Sequence, residues 1–180
     1  MKIIGGVLLM ALLLGFSPDL GRAQDRAQEM RGLRVAFLAS SASSLGLTPT
    51  KEFPRVFGVA MDWQVGDDTA TIISVMDGSA SLYTTATLGI VGGDAHESVR
   101  AAAKQFVAGA EPYHDKAMVT RDHAYPQKGK IRFYLRTFQD LRVIETDAAS
   151  AYSTSGPYAG LFRYGQAVLT ELRKVVEAKR

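Results

Sequence analysis

Around Gly92-Gly93 the chain changes its hydrophobic period, and this change restricts its fold more than any other feature. Before the glycines, Leu82, Thr84, Ala86, Leu88 and Ile90 alternate with Tyr83, Thr85 and Thr87, the two-residue period of a strand. After them, Val99, Ala103, Phe106, Val107 and Ala110 recur at helical spacing, with Arg100 and Lys104 between. Asp94 precedes Glu97 by three residues, the spacing of a capping box, so a helix is expected to start there and to end at Glu111-Pro112. A strand that feeds an amphipathic helix through a glycine hinge needs a sheet for that helix to cover.

The flanking segments supply the sheet. Phe57, Val59, Met61, Trp63 and Val65 alternate with small or polar residues and predict a half-buried strand over 56–65. Gly66-Asp67-Asp68 predicts a turn, and Thr69 to Met76 a second strand. Asp77-Gly78 is a hairpin dipeptide, since glycine tolerates the positive φ such turns need. Ser81 to Val91 then reads as a third strand, which completes an antiparallel meander. Past an irregular stretch from Tyr113 to Lys130, Ile131, Phe133 and Leu135 mark a fourth strand, and Leu141 to Thr146 a fifth. Leu161, Val168, Leu169, Leu172, Val175 and Val176 predict a long terminal helix. A short helix over Arg34 to Leu45 is expected from Val35, Leu38, Ala39, Ala42 and Leu45, although its serines compete with the helix backbone. The expectation is a two-layer α+β domain, an antiparallel sheet of about five strands with helices against it.

The N-terminus carries an address. Met1-Lys2, the apolar run Ile3 to Phe16, Ser17-Pro18 and the small residues of Gly21-Arg22-Ala23 have the order of a signal peptide cut near Ala23. The apolar run is shorter than the roughly 20 residues that cross a bilayer, so no stable membrane anchor is expected after cleavage. The expected organisation is a signal peptide over 1–23, a lead-in with a possible short helix over 24–55, and one α+β domain over 56–180. The expected location is periplasmic or extracellular. With no cysteine, disulfides, thiolate metal sites and thiol nucleophiles are excluded. Losing Lys2, Arg22 and Asp19 with the signal lowers the formal charge of +3 by one. A mildly basic exported domain is not expected to bind nucleic acid.

Chemistry-bearing residues are few. Gly89, Gly92 and Gly93 lack phosphate-loop spacing, and the carboxylates of Asp94 and Glu97 would repel a phosphate at the helix start, so no cofactor is expected. His96-Glu97, His114-Asp115 and Asp122-His123 place each histidine beside a carboxylate. His96 and Glu97 are the candidates for catalysis, and His96, His114 and His123 for a metal, provided the fold brings them together. Serines occur without a GxSxG or SxxK context; Ser153, Thr154 and Ser155 sit in an ordinary Gly-Pro loop. Lys128, Lys130, Arg132, Arg136 and Arg142 form the one basic concentration, near Tyr125 and Tyr134. Along a strand Arg132, Tyr134 and Arg136 share a face, as do Tyr83, Thr85 and Thr87. These six are the candidate binding residues. A solvated face balanced by Asp140 and Glu145 is the plainer alternative.

Asp77-Gly78, Ser81-Leu82-Tyr83, Gly89-Ile90-Val91-Gly92-Gly93, His96-Glu97, Arg100-Ala101-Ala102 and Phe106 together resemble an uncharacterised bacterial protein family with the pattern DGTxSLY…GGGxIGG…HExVRxAA…F. The resemblance runs from Phe57 through Arg132 to Phe138. It lacks the pattern's extra glycines at Thr84 to Leu88, and an export signal is not part of the pattern. It implies a shared fold and no particular chemistry. In broad element order the chain is also similar to profilin-like and roadblock-like domains. The function expected is non-catalytic: binding of a protein partner, or a homodimer, on a semi-polar sheet face. The alternative is a periplasmic hydrolase or metal-binding protein that uses His96 and the loop histidines. A secreted effector or its immunity-type partner is a third possibility.

Overall fold

Ten residues, Val56–Val65, form the central strand β1, and eight of them are buried. The computed structural model describes residues 28, 31–85, 89–91 and 95–178. The predicted signal peptide, Asp94 and Thr87 lie outside them. β1 turns back into β2 (Asp68–Val75), and β3 (Ala80–Thr84) and β4 (Gly89–Val91) extend the meander outwards. On the other side β1 pairs antiparallel with β6 (Lys130–Thr137), then β7 (Leu141–Asp147), and the two-residue β5 (Met118–Val119) closes that edge. The sheet has seven antiparallel strands in the order β4-β3-β2-β1-β6-β7-β5. The expected α+β class and antiparallel meander are those observed. The strand expected over 81–91 is instead a hairpin: Ser81 faces Val91, Leu82 faces Ile90 and Tyr83 faces Gly89. Its alternation continues through Thr84 to Leu88 with no glycine, asparagine or aspartate to announce the reversal.

One sheet face carries the larger core. Helix α2 (Glu97–Ala110) buries Val99, Ala102, Ala103, Phe106, Val107 and Ala110, the expected stripe. Helix α4 (Ala159–Glu177) adds Leu161, Val168 and Leu172, after the short helix α3 (Ala148–Tyr152). These meet Val59, Met61, Ile72, Leu82, Ile131, Phe133 and Leu135 of the sheet. Each fully buried large apolar side chain contributes roughly 1.5–3 kcal/mol, so this face supplies most of the hydrophobic stabilisation. The α2 cap differs from the expected capping box. His96 occupies the cap position in extended conformation, and Glu97 is the first helical residue. An acid in the first turn still favours the positive helix end.

The opposite face is also covered. Residues 31–39 form helix α1, and Leu38 packs there with Ala60, Ile73, Tyr83, Tyr134 and Leu141. A 3-10 turn (Ser43–Leu45) then leads to Phe53, which is buried with the main core. The described part of the expected lead-in is therefore packed onto the sheet, and two layers gain a partial third. This is why β1 is buried on both sides rather than half-buried. Its second-face residues Gly58, Ala60 and Asp62 are small or paired, which lets α1 approach. A Cβ on Gly58 would lie 2.9 Å from the Phe37 ring. No helix among the described residues is long and apolar enough to cross a membrane.

Candidate functional site

Antiparallel register sets a polar row across this second face. Thr71 lies opposite Tyr83 and Asp62, Asp62 opposite Arg132, and Arg132 opposite Glu145. Asp62 has no exposure, so its charge requires partners. Arg34 supplies them from α1: Nε lies 3.2 Å from both carboxylate oxygens, and a terminal nitrogen also donates to Oδ2. The Thr71 hydroxyl donates to Oδ1 at 2.6 Å. Burial pushes the Asp62 carboxyl up, and the bonds from Arg34 and Thr71 pull against it. Arg34 and Leu38 are one turn apart, so a single stripe of α1 delivers the ion pair and the apolar anchor.

A strap over residues 120–125 lies on the same network. Its Thr120 N–H donates to the Leu141 carbonyl of β7. The Thr120 hydroxyl and Asp122 carboxylate accept from backbone N–H groups two residues on, which fixes the local turn. Carbonyls of the strap then face inwards. His123 O accepts from Arg34 at 2.7 Å, and Ala124 O accepts from Tyr134 at 2.6 Å and from Arg132 at 3.1 Å. The Tyr125 ring stacks 4.1 Å from the Arg34 guanidinium. Arg132 also holds Glu145 at 2.5 Å and Asp122 at 3.0 Å; although burial opposes its charge, these bonds and the Tyr134 hydroxyl raise its guanidinium further.

Four of the six candidate binding residues are therefore internal or committed. Tyr83 and Tyr134 are buried, and Arg132 is ion-paired. Thr85 accepts from the Thr69 N–H and donates to Asp68, a strand-end lock. The open Thr/Tyr face expected for a partner is occupied by α1 and the strap. Thr87 lies outside the described residues. Arg136 is different. It shares the face of Arg132 and Tyr134, yet its cross-strand neighbours are Gly58 and Leu141. Its guanidinium donates to the Ser40 carbonyl and lies 5.5 Å from the Phe57 ring, and its Nε is buried with no hydrogen-bond partner among the described residues.

Arg136 lines an open groove of about 510 Å³. Leu38 and Ala39 of α1 form one wall, and Val119, Thr120, Arg121 and His123 another. Gln139, Asp140 and Leu141, from the β6–β7 turn, close one end. Met118 and Val119 next to it are exposed apolar residues on the terminal strand.

The histidines do not converge. His96 caps α2, and its neighbour Glu97 is ion-paired with Arg100. His114 is buried in the 3-10 turn after α2 (Glu111–Lys116), with Nδ1 2.8 Å from Asp115 Oδ1 and its carbonyl accepting from Arg142. Arg55 joins that cluster through Glu111 and Asp115. His123 alone of the three lines the groove. Among the described residues no three His, Asp or Glu side chains come together as a metal site. Sequence reasoning passed over Arg34 and Asp62. Their signal was a lone aspartate at the centre of an apolar strand, Met61-Asp62-Trp63, which needs a buried cation somewhere else in the chain.

Compared with protein-family models, with curated proteins and with solved structures, the chain gave no match.

Proposed function

We propose that this chain is an exported, non-catalytic binding domain that holds a segment of a protein partner in the groove between α1, the 119–123 stretch and the β6–β7 turn. The observation that carries the reading is the groove itself: about 510 Å³ of open space where apolar Leu38, Val119 and Leu141 stand beside the under-bonded Arg136. Its lining sets Leu38, Ala39, Val119 and Leu141 among six polar or charged residues, and a few placed polar groups beside apolar surface are what orient a ligand in a binding site. The walls are also set by the buried network, since Arg34 fixes the helix that carries Leu38 and Ala39. Export rests on the charge, apolar run and small-residue order of residues 1–23.

The test selects random extended peptides on the purified chain and maps each binder by amide chemical shifts. Shifts centred on Leu38, Val119, Thr120 and Leu141 are expected. Failure to select any binder would overturn the reading, as would shifts confined to α4. Concentration-dependent self-association that moves the same amides would replace the partner with a second copy of the chain.

A further inference from the structure

The buried and half-buried arginines of the second face and its flank follow one pattern. Arg34, Arg55, Arg132 and Arg142 each hold a carboxylate within hydrogen-bond distance. Arg136 has no ion pair among the described residues. The nearest acid, Asp140, is already committed: Arg142 Nε donates to Oδ1 at 3.0 Å and a terminal nitrogen to Oδ2 at 3.2 Å. The Thr137 hydroxyl donates to Oδ1 as well, at 2.7 Å. Burial pushes the Arg136 guanidinium down, opposed only by the charge of Asp140. Arg121, exposed on the rim, adds a second positive charge to the same groove. The lining thus carries two arginine charges against one carboxylate that is turned to another arginine.

We infer that the segment bound in this groove is acidic, with a carboxylate seated on Arg136 and an adjacent apolar side chain against the exposed Val119. The inference rests on the docking reading above and adds the chemistry of the partner. A guanidinium recognises a carboxylate through two parallel hydrogen bonds, which a main-chain carbonyl such as Ser40 O does not replace. The groove is far larger than one small anion, and exposed Val119 on its lining offers apolar surface beside the arginines. Two arginines also make too small a positive field for a polyanion such as nucleic acid.

Three short labelled peptides test this on the full chain, by fluorescence anisotropy for affinity and amide chemical shifts for the site. One alternates Glu with Leu, the second replaces every Glu by Gln, and the third replaces every Glu by Lys. The Glu peptide is expected to bind about 10- to 100-fold more tightly than the Gln peptide, the scale of a hydrogen bond to a charged group, and the Lys peptide least of all. In Arg136→Gln the gap between Glu and Gln peptides should collapse; Arg136→Lys should retain part of it. The wild-type comparison stands even if R136Q does not fold. Gln and Glu peptides that bind equally at the groove amides would overturn the inference and leave the docking reading intact. An undiminished Glu preference in folded R136Q would do the same. If inorganic phosphate alone competes as well as the Glu peptide, the occupant is a small anion and the inference fails. If no peptide moves the groove amides, docking itself fails.

Discussion

The Arg34–Asp62 pair is a fully buried ion pair that ties α1 to the sheet, and removing one partner at a time exposes the other. Their side chains are 2% and 0% exposed. Asp62→Asn preserves shape but leaves the Arg34 guanidinium without its anion. The carbonyls of His123 and Ala124 and the Tyr125 ring still receive it, so the cost belongs at the lower end of the range for a broken buried pair, about 3 kcal/mol. Arg34→Met leaves Asp62 with the Thr71 hydrogen bond and the more distant charge of Arg132, and about 3–5 kcal/mol is expected at neutral pH. A protonated Asp62 removes the problem. Without Arg34, burial holds the folded-state pKa above the unfolded one, so stability is present at low pH and lost as pH rises through the folded value. R34M should therefore recover towards its parent on acidification. The double variant Arg34→Met/Asp62→Leu removes both charges and should fall within about 1 kcal/mol of the parent or exceed it. Urea unfolding followed by Trp63 fluorescence compares the parent with all three variants, because this sole tryptophan is 7% exposed and adjacent to Asp62. Amide exchange supplies a second readout. Residues 31–39 should lose protection in either single variant while α2 keeps it, since α2 packs on the other face. Single variants whose costs simply add, or a D62N cost below about 1 kcal/mol, would refute this account of how α1 is held.

Two further outcomes test other parts of the fold. Gly78 has φ +96°, and a Cβ there would lie 2.9 Å from Arg100 Cβ and 3.2 Å from its Cα on α2. Gly78→Ala should cost about 2–4 kcal/mol in urea unfolding, through wrong-handed backbone plus overlap. Gly66→Ala, at φ +64° in open space, should lose only the backbone part. At the β6–β7 turn burial works against the Asp140 charge, yet Arg142 and Thr137 hold its carboxyl below the usual aspartate value of 3.8. Its stabilisation is present above that value and lost as pH falls through the folded-state pKa. Asp140→Asn should unfold at lower urea than its parent at neutral pH, and the two midpoints should converge only below 3.8; a constant gap would refute the assignment.

Periodicity made one face of this molecule legible and hid the other. The stripe of Val99, Ala103, Phe106 and Val107 and the alternation of β1 and β6 are local signals, and the core on the α2–α4 side follows from them. The second face is built from residues that look solvent-facing by the same rule. Gly58, Ala60 and Asp62 read as small or polar because they are small or polar. Their smallness admits Phe37, and their one charge waits for Arg34, 28 positions earlier in the chain. Alternation cannot tell a strand position open to water from one matched to a distant helix. The hairpin between β3 and β4 was hidden for a related reason, since threonine-rich sequence favours extended backbone on either side of a reversal.

The groove shows the same limit and also its remedy. Arg132 and Arg136 lie on one strand and one face, four residues apart, and no local property separates them. Register does. The pairing that sets Arg132 opposite Glu145 sets Arg136 opposite Leu141, and on the other side Arg132 meets Asp62 while Arg136 meets Gly58. One arginine is surrounded by acids and becomes part of the scaffold. The other is left half-buried beside apolar neighbours, with Ser40 O as its acceptor, the Phe57 ring 5.5 Å from its guanidinium, and the groove alongside. A slip of two residues in β7, which keeps the side chains on the same face, would place Val143 or Gln139 opposite Arg136 and still give it no acid. The acidic partner proposed for it would come from outside the sheet, on the groove side.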